Sequence, residues 1–367
     1  MMIHSSRHLI LAQCHKKAAL HTVVLIRHGE SLWNQEKRFT GWCDVPLTPG
    51  GEADAKDAGV LIGERGIKFD VAFTSNLERA WRTCAMVLAS SGQGFVETHR
   101  SWYLNERHYG ALQGHSKTCS KLTQAFGEQR LIDWRRSYHS APPSLYDINF
   151  LRLMGPDSLD TCTEHMNIGY IDQAAYAEAK TRLKADSKDL SAESYVASRE
   201  IISQSVFPDT ESLKQCQERA YTYWQNIIAP RVKNHEKVLI VAHANTIRAL
   251  VKVIDSIEDD DIAHLKIPNG IPLVYTLDDN LQPTDLTDDI GFQAKYLVSA
   301  RNHGKVSAYT YTFTYTYKLN IPMCVYMHHT YRPCHTSAVS ARNSAPCSST
   351  LTQTMMVASL PRTCYAA

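Results

Sequence analysis

Two histidines at the ends of two apolar runs are the residues of this chain best suited to chemistry. His28 follows "TVVLIR" (22–27), and His243 follows "KVLIVA" (237–242). Each run is short, β-branched and bounded by polar residues, the pattern of a strand buried on both faces. In an open parallel sheet the ligand crevice lies outside the carboxyl ends of the strands. Both imidazoles are therefore expected at one edge, with Arg27 just before the first and Ala244 and Asn245 just after the second. Arg79, in "TSNLERA", falls one turn into the helix after another strand, near the same edge. Neutral imidazole is a good nucleophile toward phosphorus, and a pKa of about 6.5 leaves it largely unprotonated at neutral pH. A transferring phosphoryl group spreads charge over its oxygens, so catalysis is mostly positioning and stabilisation by cations and backbone donors. Arg27 and Arg79 offer planar forks for those oxygens. A protonated His243 would add a third positive group, and the start of the following helix a fourth. The chemistry implied is phosphoryl transfer through a histidine.

Such a reaction needs a proton shuttle and a grip on the rest of the substrate. "WYLNERHYGALQG" (102–114) offers Glu106, flanked by Arg107 and His108, in a loop shaped by Gly110 and Gly114. Taken alone, Glu106 reads as readily as a salt-bridged surface carboxylate. "WRRSY" (134–138) sets Arg135 and Arg136 between aromatics. Adjacent arginines are ordinarily solvated charge; beside a phosphate crevice they would hold the far end of a small dianion.

The elements that must position these residues follow a regular order. "GGEADAKDAGVLIGERG" (50–66) and "NLERAWRTCAMVLASSG" (76–92) read as helices, the first preceded by Thr48-Pro49. "FDVAFTS" (69–75) and "GIPLVYTL" (270–277) read as strands, and "NTIRALVKVID" (245–255) as a helix that Asn245 or Thr246 would cap. Strand, helix, strand, helix implies a parallel sheet with right-handed crossovers. Residues 142–208 show charged helical stretches with little apolar periodicity, an inserted excursion expected to cap one face of the sheet.

Composition bounds the partners. Of 367 residues, 44% are apolar and 21% charged, with a formal charge of +2, so no basic field argues for nucleic acid or a membrane surface. No apolar stretch approaches the ~20 residues that cross a bilayer. Ten cysteines without a CxxC pair read as free thiols of a reducing compartment. Residues 1–20 carry Arg7, Lys16 and Lys17 and no acid, which suits a transit peptide and equally a disordered extension. Residues 307–367 hold four basic and no acidic residues. There "YTYTFTYTYK" (309–318) could be a solvated hairpin strand or the translation of a simple repeat, and the segment reads as a tail that does not pack.

"LIRHGESLWNQEKRFTGWCDVPLT", "SNLERA", "LNERHYGALQG", "WRRSY", "TESL", "VLIVAHANTIRAL" and "IPNGIPLVY" together resemble the cofactor-dependent phosphoglycerate mutases of the histidine phosphatase superfamily. The resemblance runs in collinear order from 21 to 282, interrupted near 145–207. It implies a single catalytic domain, 21–306, folded as a three-layer α/β/α sandwich around a mostly parallel sheet. It implies that His28 carries the phosphoryl group, that Arg27, Asn34, Arg79 and His243 surround that group, and that Glu106 donates and accepts the proton. Thr40, Gly41, Tyr109, Lys117, Arg135, Arg136, Ala244 and Asn245 match positions that grip the substrate. The implied reaction interconverts 3-phosphoglycerate and 2-phosphoglycerate, primed by 2,3-bisphosphoglycerate and without metal, in a cytoplasmic homodimer or homotetramer. A mitochondrial or plastid location would follow if residues 1–20 act as a transit peptide.

Three departures bear on this. Relatives usually carry glycine where this chain has Ala244, which is harmless only if the position has negative φ. "GHSKTC" (114–119) keeps Lys117 but changes its neighbours. The usual segment that closes the site against water gives way to the 307–367 tail, and poorer closure would favour hydrolysis over transfer. Ser31, Thr40 and Gly41 favour a mutase over a bisphosphoglycerate synthase, in which glycine and Cys-Ser are typical at those places. A phosphatase of the same superfamily and a non-catalytic scaffold relative are the other readings.

Overall fold

The computed structural model describes residues 20–155, 157–184, 207–284 and 294–298. All belong to one unit, residues 1–321; a second, 322–367, lies outside the described residues, as do the 1–19 extension and the repetitive tail.

The apolar runs form the centre of a six-stranded sheet. Its strands are β1 (His21–Arg27), β2 (Val71–Thr74), β3 (Glu97–Arg100), β4 (Val238–Ala242), β5 (Pro272–Leu277) and β6 (Lys295–Tyr296), in the order β3-β2-β4-β1-β5-β6. β3, β2, β4 and β1 are parallel, while β5 runs antiparallel to β1 and β6 to β5. β5 can reverse because Gly270, at φ +64°, turns the chain back immediately beside β1, its amide donating to the Arg27 carbonyl at 2.9 Å.

Alternation along the strands divides the core into two layers. Val23, Leu25, Val238 and Ile240 face the helices α9 (Leu213–Tyr223), α10 (Ala229–Lys233) and α11 (Ala244–Ile254). Val24, Ile26, Leu239 and Val241 face the helices α2 (Pro49–Glu64) and α3 (Glu78–Ser90). This is the expected α/β/α sandwich around a mostly parallel sheet. Thr48 caps α2 by accepting from the Gly51 amide at 3.0 Å. α11 is different: its N-cap is His243, with no side-chain cap. Asn245 and Thr246, expected to cap it, lie inside the first turn and bond elsewhere, Thr246 Oγ1 to the Asn105 carbonyl at 2.7 Å.

The described part of the 145–207 excursion does not pack on a strand of the sheet. Its described helices, α6 (Ile148–Met154), α7 (Ser158–Thr163) and α8 (Gln173–Lys184), form a second core with no strand residue in it. Phe150, Leu151, Leu159 and Cys162 pack there on Phe39, Trp42, Ala111, Leu112 and Trp134. Short helices with few apolar positions each cannot cover a sheet, but together they can back the loops at its carboxyl edge. A single turn, α1 (Leu32–Gln35), and the helices α4 (Ser120–Phe126) and α5 (Glu128–Arg136) complete that edge.

Candidate active site

Register brings the two histidines together. Arg27 pairs with Ala242 across β1 and β4, and the His28 amide donates to the Ala242 carbonyl at 3.0 Å. The next residue on each strand is a histidine, so the rings meet with centroids 5.0 Å apart and planes at 56°. The chain can leave β1 here only through glycine: a Cβ on Gly29 would lie 2.2 Å from the Gly51 carbonyl oxygen. The Gly29 amide is taken up by Thr83 Oγ1 (3.1 Å), which itself donates to the Arg79 carbonyl (2.7 Å), locking the His28 turn to α3.

The geometry also fixes the state of His28. Its Nδ1 lies 2.6 Å from the Gly29 carbonyl, and a carbonyl can only accept, so Nδ1 carries the hydrogen. Burial, reinforced by the Arg79 and Arg27 guanidiniums, holds its pKa well below 6.5. A neutral ring protonated at Nδ1 leaves a lone pair on Nε2, the nucleophilic form. His243 is neutral as well, for burial and then Arg79 push its pKa well down. In the unliganded site burial therefore works against the protonated His243 that would add a third positive group. Its Nε2 sits 2.7 Å from Ser75 Oγ, and its buried Nδ1 has no hydrogen-bond partner among the described residues.

A cleft of about 380 Å³ opens at this edge. Arg27, His28, Asn34, Thr40, Gly41, Arg79, Glu106, Tyr109, Lys117, Arg135, Arg136, Ala244 and Asn245 all line it. His243 alone of the expected residues does not; it lies fully buried against the His28 ring. Arg79 is fixed by the Cys43 carbonyl (2.8 Å) and the Gly41 carbonyl (2.7 Å), Arg27 by the Ile267 carbonyl (2.8 Å). Gly41 makes this possible at φ +53°, where a Cβ would collide with the Gln113 amide at 2.0 Å. Thr40 Oγ1 is buried and without a partner among the described residues, a donor available to a ligand oxygen. Ala244 has no positive φ, so the alanine at this position is compatible with the backbone.

Glu106 is held from both sides. Its Oε1 accepts from the Arg107 amide (2.9 Å) and the Asn245 amide (3.1 Å), while Oε2 carries no hydrogen bond among the described residues. Its backbone carbonyl accepts from Trp42 Nε1 at 2.6 Å and from Arg219 at 3.2 Å. Arg219 gathers the 102–106 loop by also donating to the carbonyls of Trp102, Tyr103 and Asn105, and it is paired in turn with Glu211, Nε to Oε1 at 2.7 Å. Glu211 Oε2 then accepts from the His108 amide at 2.8 Å. These two residues position the Glu106 loop. Sequence reading passed over their role, although "TESL" contains Glu211.

Two further cations line the cleft unforeseen, Arg248 and Lys266. Arg248 is buried and donates to Asn245 Oδ1 at 3.0 Å, which turns the Asn245 amide nitrogen toward the Tyr109 hydroxyl at 3.2 Å. Burial, then Arg136 and Arg107, bring its pKa down to about 9. The signal for Arg248 was its spacing: it lies one helical turn after Asn245 on a mostly apolar helix. In all, seven basic side chains and one carboxylate, Glu106, face the cleft. Such an arrangement suits a multiply charged anion held beside a neutral imidazole.

A family model described as histidine phosphatase superfamily (branch 1) matches residues 23–149 and 172–282. Solved structures of similar fold include a mycobacterial glucosyl-3-phosphoglycerate phosphatase, at 18% identity over 70% of this chain and 92% of that one (TM-score 0.45). A phosphoglycerate mutase from Bacillus anthracis str. Sterne shares 18% identity over 81% of this chain and 98% of its own (TM-score 0.45). An alpha-ribazole phosphatase from Shigella flexneri shares 18% identity over 70% and 91% (TM-score 0.42). With the matched segments spanning both histidine-bearing strands, the glutamate loop and the sheet between them, the chain belongs to the histidine phosphatase superfamily, branch 1.

Proposed function

We propose that this protein is a phosphoglycerate mutase that interconverts 3-phosphoglycerate and 2-phosphoglycerate through a phosphohistidine at His28. One observation carries the reading: the cleft holds more cations than one phosphate needs. At the phosphoryl pole the charges of Arg79 and Arg27 both bear on the neutral His28. Lys117, Arg135 and Arg136 line the same cleft with no carboxylate in ion-pair distance among the described residues. A simple phosphate needs the first two cations only. A small acid bearing a phosphate and a carboxylate uses all five.

In the proposed mechanism the phosphohistidine at His28 gives its phosphoryl group to the free hydroxyl of the bound monophosphate: the Glu106 carboxylate takes the hydroxyl proton, the new P–O bond forms and the P–N bond breaks. His28 Nε2 then attacks the phosphorus of the original ester; the P–N bond forms as that P–O bond breaks, and the departing oxygen takes the proton back from Glu106. Arg79, Arg27, the Thr40 hydroxyl and the start of α11 balance the charge on the phosphoryl oxygens. The unpartnered Thr40 hydroxyl and the excess of cations fit 2,3-bisphosphoglycerate, which when bound would supply the phosphoryl group that primes His28. On the resemblance alone, the active species is a cytoplasmic homodimer or homotetramer serving glycolysis, with phosphoglycerates as its partners.

The test is to supply 3-phosphoglycerate with and without catalytic 2,3-bisphosphoglycerate, following both 2-phosphoglycerate and free phosphate. Primed formation of 2-phosphoglycerate with little phosphate supports the mutase. Phosphate release without isomerisation makes the protein a phosphatase of the same superfamily, and turnover of neither makes it a binding relative.

A further inference from the structure

The His243 ring meets that of His28 at 5.0 Å between centroids, yet one of its nitrogens, Nδ1, is buried and unused among the described residues. The other, Nε2, lies 2.7 Å from Ser75 Oγ, just past the end of β2. Ser75 is fully buried, and its Oγ already accepts from the Leu77 amide at 3.2 Å. A serine hydroxyl has one hydrogen to give and lone pairs to offer, which leaves two arrangements. If Nε2 carries the ring hydrogen and donates to Ser75, the hydroxyl hydrogen has no acceptor among the described residues, and Nδ1 is a lone pair without a donor. If Ser75 donates to Nε2, the hydroxyl is satisfied and the ring hydrogen stands on Nδ1. The first arrangement leaves two buried polar groups unmet and the second only one, so the second is favoured. Nδ1 is the ring nitrogen nearer the backbone, and His243 is the N-cap of α11, whose next two residues, Ala244 and Asn245, line the cleft. The unmet donor thus belongs to the helix start that offers its dipole to the phosphoryl oxygens.

We propose that Ser75 is a positioning residue that holds His243 in its Nδ1–H form, so that the ring donates to the phosphoryl oxygens of the His28 intermediate. The inference rests on the reading that His28 carries a phosphoryl group, and deepens it. An uncharged ring thereby becomes a donor. In the opposite tautomer Nδ1 would turn a lone pair toward those oxygens and repel them. The two histidines use one tautomer for opposite ends. The Gly29 carbonyl fixes the hydrogen on Nδ1 of His28 and frees its Nε2 for attack, while Ser75 fixes it on Nδ1 of His243 and makes a donor there.

Nitrogen-15 NMR of protein labelled in its histidine rings tests this, with the His243 signals assigned by their loss in His243→Gln. In the unliganded parent Nδ1 should resonate as a protonated nitrogen and Nε2 as an unprotonated one, and inorganic phosphate should move the Nδ1 signal. In Ser75→Ala the hydrogen should divide between the two nitrogens. Turnover of 3-phosphoglycerate should fall about tenfold in kcat, through loss of one charge-assisted contact, with KM little changed. Ser75→Thr, which keeps the hydroxyl, should restore both. A hydrogen on Nε2 in the parent, alone or on both nitrogens, overturns the proposal, as does an Nδ1 signal that phosphate does not move. So does an unchanged tautomer in Ser75→Ala, or a changed one with kcat intact. A tautomer that follows Ser75 in a protein releasing only free phosphate keeps Ser75 in this role and refutes the mutase reading. Primed formation of 2-phosphoglycerate with a tautomer indifferent to Ser75 does the reverse.

Discussion

Two kinds of buried arginine stand side by side in this fold. Arg219 lies behind the site with Glu211 closed on it, Nε–Oε1 at 2.7 Å and Nη2–Oε2 at 2.8 Å. Burial alone would lower its pKa, but the Glu211 carboxylate outweighs that and holds the guanidinium above its usual range. Arg79, equally buried, is bonded only to the carbonyls of Cys43 and Gly41, and its pKa is lowered by burial despite Glu106 and Asp44. Taking an ion out of water costs several kcal/mol unless a counter-charge offsets it. For Arg219 the chain provides a directly bonded carboxylate; for Arg79, Glu106 and Asp44 act only from a distance, with no ion pair among the described residues. In this site the buried arginine that is bonded to a carboxylate lies behind the cleft, and Arg79, held by carbonyls, lines it.

The largest effect expected from breaking this contrast is on turnover. His28→Ala should remove activity altogether, a loss on the order of 10⁴-fold or more in kcat/KM, because no other group forms the P–N bond. Arg79→Met should cost about 10²–10³-fold, as loss of one preorganised donor to the transition state does. Yet Arg79→Met should leave stability of the unliganded protein unchanged or about 1 kcal/mol higher, since an uncompensated buried charge disappears. Steady-state kinetics and urea unfolding on the same preparation check both. Appreciable turnover in His28→Ala would end the assignment.

Glu211→Gln should show the opposite profile. It leaves Arg219 buried without its carboxylate, which costs about 3–5 kcal/mol of stability, read as a shift in the urea midpoint. A midpoint within experimental error of the parent would mean that Arg219 is no more a scaffold residue than Arg79.

Acidification probes the histidines beside each arginine. Burial and then Arg219 bring His108 down to about 3, and His28 beside Arg79 is likewise held well below 6.5. The unfolded chain takes up these protons near pH 6.5 and the folded one only further down. Stability is therefore complete above about pH 6.5 and falls as pH drops, by up to ~1.4 kcal/mol per unit for each such histidine. Urea midpoints should hold from pH 7.5 to about 6.5 and decline from there to pH 5; a flat profile would mean that these rings are charged in the native state.

Most of the phosphoryl pole was legible in the sequence because it is written in contiguous motifs at strand ends. A strand buried on both faces fixes where the next residue emerges, so His28, His243 and Arg79 could be placed without knowing the loops. Residues that act through long-range pairing were not legible. Glu211 lies just before α9 and Arg219 well inside it, but their meaning lies in the carbonyls of residues 102–106, more than a hundred positions away. Lys266 sits in an irregular segment, where no period marks a residue as facing the cleft. The strand β3, "ETHR", has no apolar alternation to announce it, being an edge strand with mostly exposed side chains. The excursion misled for a related reason: its apolar residues answer to Phe39, Trp42 and Leu112, not to any period of its own.

The smallest expected effect sharpens the contrast most directly. If the cleft arginines lack only a counter-ion, inorganic phosphate should stand in for the one that Glu211 gives Arg219. At ten times its dissociation constant, a ligand that binds only the native state adds about 1.4 kcal/mol of stability. That increment should appear in the parent and survive in Glu211→Gln, whose cleft still carries all seven cations. It should vanish in Arg79→Met, where the phosphoryl pole has lost its buried guanidinium. Chloride at matched ionic strength sets the baseline, because general screening acts on every exposed charge alike. Equal stabilisation by chloride and phosphate would show that the seven cations are surface charge and not a site. A phosphate increment undiminished in Arg79→Met would move the binding pole away from His28, toward Arg135 and Arg136.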